Sequence, residues 1–252
     1  MKKRERIERI IELCKINEQI TVGELVHELN ASEATIRRDL HEMEEDGVIS
    51  RYHGGAKISN TFRMEPTMNL KTGTNSLSKR QVGLLAARLI KDNQMIFIDA
   101  GSTTYEMIDF IKAKNITVVT NGIPHLNKLG KRNINTIILG GNIRWNTAAV
   151  IGNSALKQLD EYYFDIVFLG VNGIHEHFGL TTSNDPEANM KSKALSRSQN
   201  VYVLADSSKF NLLMPVKFAN LEDVVILADE IPGFDRTKLK YMLINGETNI
   251  SS

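Results

Sequence analysis

The chain is poor in cysteine, proline and tryptophan, with one Cys, five Pro and one Trp, and its formal charge is only +1 over 252 residues. A lone thiol excludes an internal disulfide and a cysteine-clustered metal site, and the neighbours of Cys14, among them Ile10, Ile11, Leu13 and Ile16, read as helix interior. No run approaches the ~18 uncharged apolar residues that a membrane span needs. The basic start Met1-Lys2-Lys3-Arg4 leads into Ile7, Glu8, Arg9 and Glu12 rather than an apolar secretory segment, so a cytoplasmic chain with no membrane partner is expected. The near-zero charge offers no global signature of nucleic-acid binding, and residues 1–60 hold 10 Lys and Arg against 12 Asp and Glu, a local balance of −2. What remains is ordinary globular composition, 42% hydrophobic and 24% charged with 17 Gly, which rules out collagenous, coiled-coil and largely disordered chains. At about 150 residues per domain the length accommodates one sizeable core plus a small module.

Three helical patterns follow one another in the first fifty residues. Ile7, Ile10, Ile11, Leu13 and Cys14 recur at helical spacing over roughly residues 3–16, and Asn17-Glu18 break the pattern. Thr21-Val22-Gly23-Glu24 is a capping box opening a short helix to about Leu29. After the turn Asn30-Ala31, Ser32 caps a third helix with Ile36, Leu40 and Met43 on its inner stripe, ended by Gly47. At 100° per residue, Ala34, Arg38 and His41 then point away from the core, flanked by Thr35, Arg37 and Glu42. Such a face offers a guanidinium for guanine edges, a methyl for thymine and a helix start for a phosphate. Val48 to Tyr52 alternates as a strand, His53-Gly54-Gly55 turns and Ala56-Lys57-Ile58 returns, a small wing with Arg51, His53 and Lys57 placed for backbone phosphates.

Tri-helical modules of this size also dock proteins, so the pattern alone leaves two uses open. The ordered wording Ser32-Glu33-Ala34-Thr35-Ile36-Arg37-Arg38-Asp39-Leu40, then Gly47-Val48-Ile49, then Arg51-Tyr52-His53-Gly54-Gly55-Ala56, closely resembles the DeoR-type family of bacterial transcription regulators. The resemblance implies a winged helix-turn-helix that binds operator DNA through Thr35, Arg37 and Arg38, with Ser32 at the helix entrance. The domain expectations are a winged module over residues 1–58, a polar linker over 59–77 in which Phe62, Met64, Met68 and Leu70 pack on a neighbour, and an α/β domain over 78–252.

From a helix capped by Ser78 onward, β-branched runs at Met95–Ile98, Ile116–Thr120, Ile134–Leu139, Asp165–Leu169, Val201–Ala205 and Val224–Leu227 alternate with helical stretches near 103–112, 124–131, 153–161 and 186–198. This predicts a mostly parallel sheet covered on both faces, with ligand bound at the carboxyl ends of its strands. Asp99-Ala100-Gly101-Ser102-Thr103-Thr104 follows the first of these strands, bringing amides, hydroxyls and a helix start together as a phosphate needs, although tight turns use the same residues for geometry alone. Thr120-Asn121, Gly140-Gly141, Gly170-Val171-Asn172-Gly173 and Asp206-Ser207-Ser208-Lys209 end further strands. Glu187 and Lys191, one helical turn apart, make either an ordinary i,i+4 pair or a ligand contact, and Lys209 is a point charge suited to phosphate.

This half also resembles the DeoR-type family, whose carboxy-terminal sensor is similar to the sugar-phosphate isomerase fold. The matching segments include Phe97 to Thr104, Val119-Thr120-Asn121, Leu139-Gly140-Gly141, Gly179-Leu180-Thr181, Glu187 with Lys191, and Leu204 to Phe210. The resemblance implies a phosphorylated sugar or related metabolite as effector, no cofactor, and a homo-oligomer. The expected effector residues are Asp99, Gly101, Ser102, Thr103, Thr104, Thr120, Asn121, Gly141, Asn172, Glu187, Lys191, Asp206 and Lys209. An isomerase needs a carboxylate base, and Gly170-Val171-Asn172-Gly173 has none where isomerase relatives carry acids; Asp99, Glu187 and Asp206 remain as bases for that alternative enzyme reading. A binding site without turnover is the expectation. His175-Glu176-His177 reads as a solvated turn rather than a metal site, and Trp145 lies either at the ligand mouth or at an interface.

Overall fold

The computed structural model describes residues 3–17, 19–45, 49–52, 54–58 and 67–250, in two compact units that divide between Thr74 and Asn75. The amino-terminal unit is built from α1 (Lys3–Asn17), β1 (Gln19–Thr21), α2 (Val22–Leu29), α3 (Glu33–Glu45), β2 (Ile49–Tyr52), β3 (Gly55–Ile58) and α4 (Met68–Gly73). Both arms of the Thr21–Glu24 capping box form, with the Thr21 amide donating to the Glu24 carboxylate at 2.7 Å and the Glu24 amide to the Thr21 hydroxyl at 3.2 Å. Asn30 ends α2 in the left-handed region at φ 46°, a conformation Asn tolerates. Ile10, Cys14, Leu25, Leu29, Ile36, Leu40 and Met43 close one core between the three helices.

The wing has a third strand that the sequence pattern does not announce. β1 pairs antiparallel with β3, and β3 with β2. Three residues are too few for an alternation signal, although the central one, Ile20, is buried. Gly55 permits the pairing, because a Cβ there would stand 2.2 Å from the Ile20 carbonyl oxygen. From Thr67 onward the expected linker holds regular structure that its composition does not announce. Thr67 caps α4, its hydroxyl accepting from the Leu70 amide, and the next helix begins at Ser76 behind Asn75 rather than behind Ser78. The Gly47 helix stop, His53 and residues 59–66, with Phe62 and Met64, lie outside the described residues.

The second unit runs α5 (Ser76–Ala87), β4 (Met95–Ile98), α6 (Ser102–Met107), β5 (Thr117–Thr120), α7 (His125–Lys131), β6 (Asn135–Ile138), β7 (Asn142–Arg144), β8 (Ala149–Ile151), α8 (Asn153–Asp160), β9 (Ile166–Gly170), β10 (Gly173–His175), β11 (Gly179–Thr182), α9 (Asp185–Ser196), β12 (Val201–Ala205), β13 (Val216–Ala219), β14 (Val225–Ala228), β15 (Lys240–Leu243) and β16 (Thr248–Asn249). The main sheet has eight strands in the order β16-β15-β14-β12-β9-β4-β5-β6, all parallel except β16. Successive side chains pack on opposite faces: Phe97, Val119, Val167 and Val203 join one core cluster, while Ile96, Ile98, Val118 and Phe168 join the other. A sheet buried on both faces therefore forms, as the near-continuous apolar strands require. A small antiparallel sheet β10-β11-β13 and the hairpin β7–β8 are additions that the parallel-sheet expectation did not contain. Among the described residues no helix is long and apolar enough to cross a membrane.

Strand order decides where a ligand crevice lies. From β4 the chain winds outward through β5 to β6, then returns to the other side of β4 with β9 and winds through β12, β14 and β15. The direction reverses between β4 and β9, and crevices in open parallel sheets form outside the carboxyl ends of the strands at such a switch point.

Candidate functional site

On the first unit, α3 sorts its charges sharply. Ser32 caps the helix, its hydroxyl accepting from the Thr35 amide at 3.3 Å and lying 2.8 Å from the Thr35 hydroxyl. Arg37 lays its fork on the Glu33 carboxylate at 2.6–2.8 Å. Asp39, 2% exposed, turns inward and receives both Nε and Nη2 of Arg6 from α1. Arg38, between them, is exposed and has no side-chain partner among the described residues, and His41 is exposed one turn further on. Three basic residues of α1 pair inside the module, Lys3 with Glu42, Arg6 with Asp39 and Arg9 with Glu12. On the wing, Gln19, Lys57 and Ser50 stand in one row across the three strands, whereas Arg51 turns to Glu44 at 3.8 Å. Exposed ion pairs such as Arg37–Glu33 and Arg51–Glu44 are worth about 0–1 kcal/mol and exchange readily for a phosphate.

On the second unit, the switch point is occupied by a buried ion pair. Asp99, 3% exposed, follows β4; its Oδ2 accepts from the Lys191 ammonium and from the Gly170 amide at 3.1 Å. Lys191 also donates to the Gly170 carbonyl at 3.0 Å, so α9, β4 and β9 are tied at one point. Glu187, a turn earlier on α9, accepts from the Thr147 hydroxyl at 2.8 Å and faces Arg144 Nε at 3.4 Å. Lys191 and Glu187 thus each have a partner outside α9, in Asp99 and in the β7–β8 hairpin. Trp145, at the tip of that hairpin, is 76% exposed.

The strand-end loop divides into residues whose side chains bond within the fold and two buried hydroxyl residues, Ser102 and Thr103, whose side chains, among the described residues, do not. Thr104 donates to the Asp99 carbonyl at 2.7 Å, Thr120 donates to the Ile98 carbonyl at 2.6 Å, and Asn121 accepts from the Ala100 amide at 2.8 Å while donating to the Val150 carbonyl at 3.3 Å. Their polar atoms are taken up within the fold. Ser102 and Thr103, beside extended Gly101, have no side-chain partner among the described residues. Asn172 donates to Ser183 at 2.7 Å. Gly141 lies past the edge strand β6, where a Cβ would meet the Ile151 carbonyl at 2.6 Å; close approach in the hairpin accounts for it.

Beyond β12, Asp206 is 1% exposed and its Oδ1 accepts from Asn75 Nδ2 at 2.9 Å and the Ser208 amide at 3.1 Å. Its Oδ2 has no hydrogen bond among the described residues and sees Lys209 at 3.9 Å. Burial pushes this carboxyl up, but Lys209, Ser208, Lys79 and Asn75 together outweigh it and hold it below the ordinary Asp range. Lys79, 3% exposed on α5, is a candidate site residue that sequence reasoning did not single out. The signal was present: Lys79, Val82, Gly83 and Ala86 fall on one buried stripe, and a lysine on an apolar stripe is rare without a charged purpose. Helices α5 and α6 meet where Gly83 lets the Met107 backbone approach, and Lys79 and Thr103 each lie one turn before that contact, toward the carboxyl ends of the strands.

His125 is also buried under this loop, its Nδ1 3.0 Å from the Thr120 hydroxyl and its Nε2 3.4 Å from the Gly101 carbonyl. Burial lowers its pKa to about 4, against the Gly101 carbonyl and with Lys128. The ring is neutral near pH 7. Among the described residues no three His, Cys, Asp or Glu side chains are grouped to hold a metal ion.

The two units define a class of protein: a helix-turn-helix module joined to an α/β domain with a buried ion pair at its switch point. Residues 6–62 match the DeoR-like helix-turn-helix domain family and residues 74–230 the DeoR C-terminal sensor domain family. The chain belongs to the DeoR family of DNA-binding transcriptional regulators. It is 41% identical over 227 residues to the HTH-type transcriptional regulator FruR of Bacillus subtilis, covering 90% of each chain. It is 33% identical to the lactose phosphotransferase system repressor of Staphylococcus epidermidis, over 83% of this chain and 84% of the repressor. Both relatives are named as regulators, not as enzymes. Among solved structures, ribose 5-phosphate isomerase A from Methanocaldococcus jannaschii is similar at 19% identity and a TM-score of 0.41, covering 54% of this chain and 55% of the isomerase.

Proposed function

We propose that the chain represses a carbohydrate-metabolism operon, binding operator DNA as a homo-oligomer whose affinity is set by a phosphorylated sugar in the switch-point crevice. The relatives' names, a lactose phosphotransferase system repressor among them, support the metabolic setting. The observation that carries the effector class is the convergence of two lysines on Asp206. Lys191 is matched by Asp99 and Arg144 by Glu187, but Lys79 and Lys209 both act on Asp206, with the unpaired hydroxyls of Ser102 and Thr103 one helix away. A phosphate monoester offers negative charge to the two lysines and acceptors to both hydroxyls. The sugar then extends toward Lys191, Asn172 and Glu187.

On DNA, two or more α3 helices straddle repeated half-sites, with Arg38 and Thr35 at base edges and Ser32, Arg37, His41, Arg51, His53 and Lys57 on or near the backbone. An acidic module binds non-specific DNA weakly, so operator affinity depends on geometry and on pairing of modules. The effector acts by binding one oligomer arrangement better than another. Replacing Ser102 and Thr103 together by valine tests the site. Fluorescence anisotropy on the DNA upstream of the chain's own gene is expected to show unchanged DNA binding and no response to any sugar phosphate. A response equal to wild type would remove this loop from the site.

A further inference from the structure

The residue that begins the second unit is bonded to the proposed anion site. Asn75 stands in the left-handed region at φ 52° and caps α5 without its own side chain contributing a capping bond. That side chain reaches instead to Asp206 at 2.9 Å and Ser208 at 3.3 Å, while the Asn75 carbonyl accepts the Lys79 amide at 3.0 Å. Immediately before it, Thr74 closes α4, its amide and hydroxyl both donating to the Leu70 carbonyl at 3.1 Å. Leu70 packs against the helix-turn-helix core. Two residues, Thr74 and Asn75, are thus the entire connection between a helix seated on the DNA-reading unit and a helix whose first turn carries Lys79. A change in the Asn75 dihedrals therefore has only Thr74 to cross before it reaches α4.

We propose that the Asn75–Asp206 bond is the link by which an anion held by Lys79 and Lys209 acts on the helix-turn-helix unit, a role that rests on the anion-site reading above. Without the anion, both lysines compensate Asp206, and Asp206 holds Asn75. An arriving phosphate draws the lysines to itself and leaves Asp206 buried with less compensation, which changes its hold on Asn75 and on the backbone that Asn75 fixes. Asn75 is a positioning residue in this scheme and touches no effector.

The test uses the full chain and inorganic phosphate, with chloride at matched ionic strength as control. Two quantities are read: the rise in thermal midpoint, which reports occupancy, and hydrogen exchange at the Lys71 and Thr74 amides of α4. In wild type, phosphate is expected to raise the midpoint and to change exchange at these amides about tenfold. Asn75→Gly keeps access to the left-handed region and loses the side-chain bond; it is expected to show the same midpoint rise with no change in α4. Asn75→Asp, which sets a like charge against Asp206, serves if the glycine variant does not fold and is expected to give the same uncoupling. A midpoint rise accompanied by a full α4 response in the variants, or by no α4 response in wild type, overturns the link. Absence of any midpoint rise in wild type overturns the anion site itself.

Discussion

Lys191 of α9 places its ammonium on the carboxylate of Asp99, 92 residues away in sequence, and on the carbonyl of Gly170 at 3.0 Å. The pair sits where strand order reverses, 5% and 3% exposed, and joins α9, β4 and β9. Breaking it from one side leaves a buried uncompensated charge, which costs about 3–5 kcal/mol. Lys191→Met is therefore expected to lose that much in urea unfolding at pH 7, and Asp99→Asn with Lys191→Met to recover most of it. Equal losses in the single and double variants would mean that the two groups do not compensate each other.

Arg37 and Arg38 are neighbours with different standing. Arg37 is held by Glu33, and Arg38 has no side-chain partner among the described residues on the outward face of α3. Arg38→Ala is expected to reduce discrimination between operator and unrelated DNA by about 1–3 kcal/mol, roughly ten- to hundredfold, the worth of one bidentate base contact. Arg37→Ala should weaken both DNAs alike and flatten the salt dependence. Competition titrations at two salt concentrations separate these outcomes, and full discrimination in Arg38→Ala would move the reading face elsewhere.

The third member of that run acts inside the module. Asp39 anchors Arg6 of α1 through two bonds, with side chains 3% and 12% exposed. Asp39→Ala is expected to destabilise the first unit by about 3 kcal/mol, as removal of one partner from a buried pair does. Calorimetry should show an early transition for this unit and an unshifted one for the second. A single unshifted transition would contradict the pairing.

His125 makes the second unit sensitive to mild acid. Its pKa falls from the ordinary histidine value of 6.5, which holds in the unfolded chain, to about 4 in the fold, so between these values the unfolded chain carries a proton that the folded chain lacks. Stability from this residue is complete above pH 6.5 and is lost as the pH falls toward 4, by up to about 3 kcal/mol. Urea midpoints at pH 7 and pH 5 should diverge more in wild type than in His125→Gln. Equal divergence would show that the ring protonates freely in the fold.

Local chemistry was legible in the sequence where its partners are close by. The Thr21–Glu24 capping box, the Ser32 cap and the inward stripe of α3 all rest on residues within one or two turns of each other. The apolar strands likewise announced a doubly covered sheet. Strand order did not show, because it depends on pairing between segments far apart, and so the switch point could be placed only generally at strand ends. For the same reason the sequence leaves Glu187 and Lys191 open between an i,i+4 pair and a ligand contact, whereas the fold sets them against Thr147 and Asp99. Strand β1 is too short to alternate, and α4 hides in a polar stretch because one Thr cap and Leu70 suffice to seat it. Lys79 was visible as a charge on an apolar stripe, but its meaning required Asp206, which lies 127 positions further on by numbering.

In the proposed scheme a phosphorylated sugar at the switch point sets the DNA affinity of α3. Fluorescence anisotropy of the full chain on its own upstream DNA, at fixed salt, tests it with a panel of sugar phosphates beside their unphosphorylated parents. One phosphorylated compound is predicted to change the affinity while its parent does not. Specific binding that responds to no phosphorylated compound, or equally to the parent sugar, would contradict the scheme.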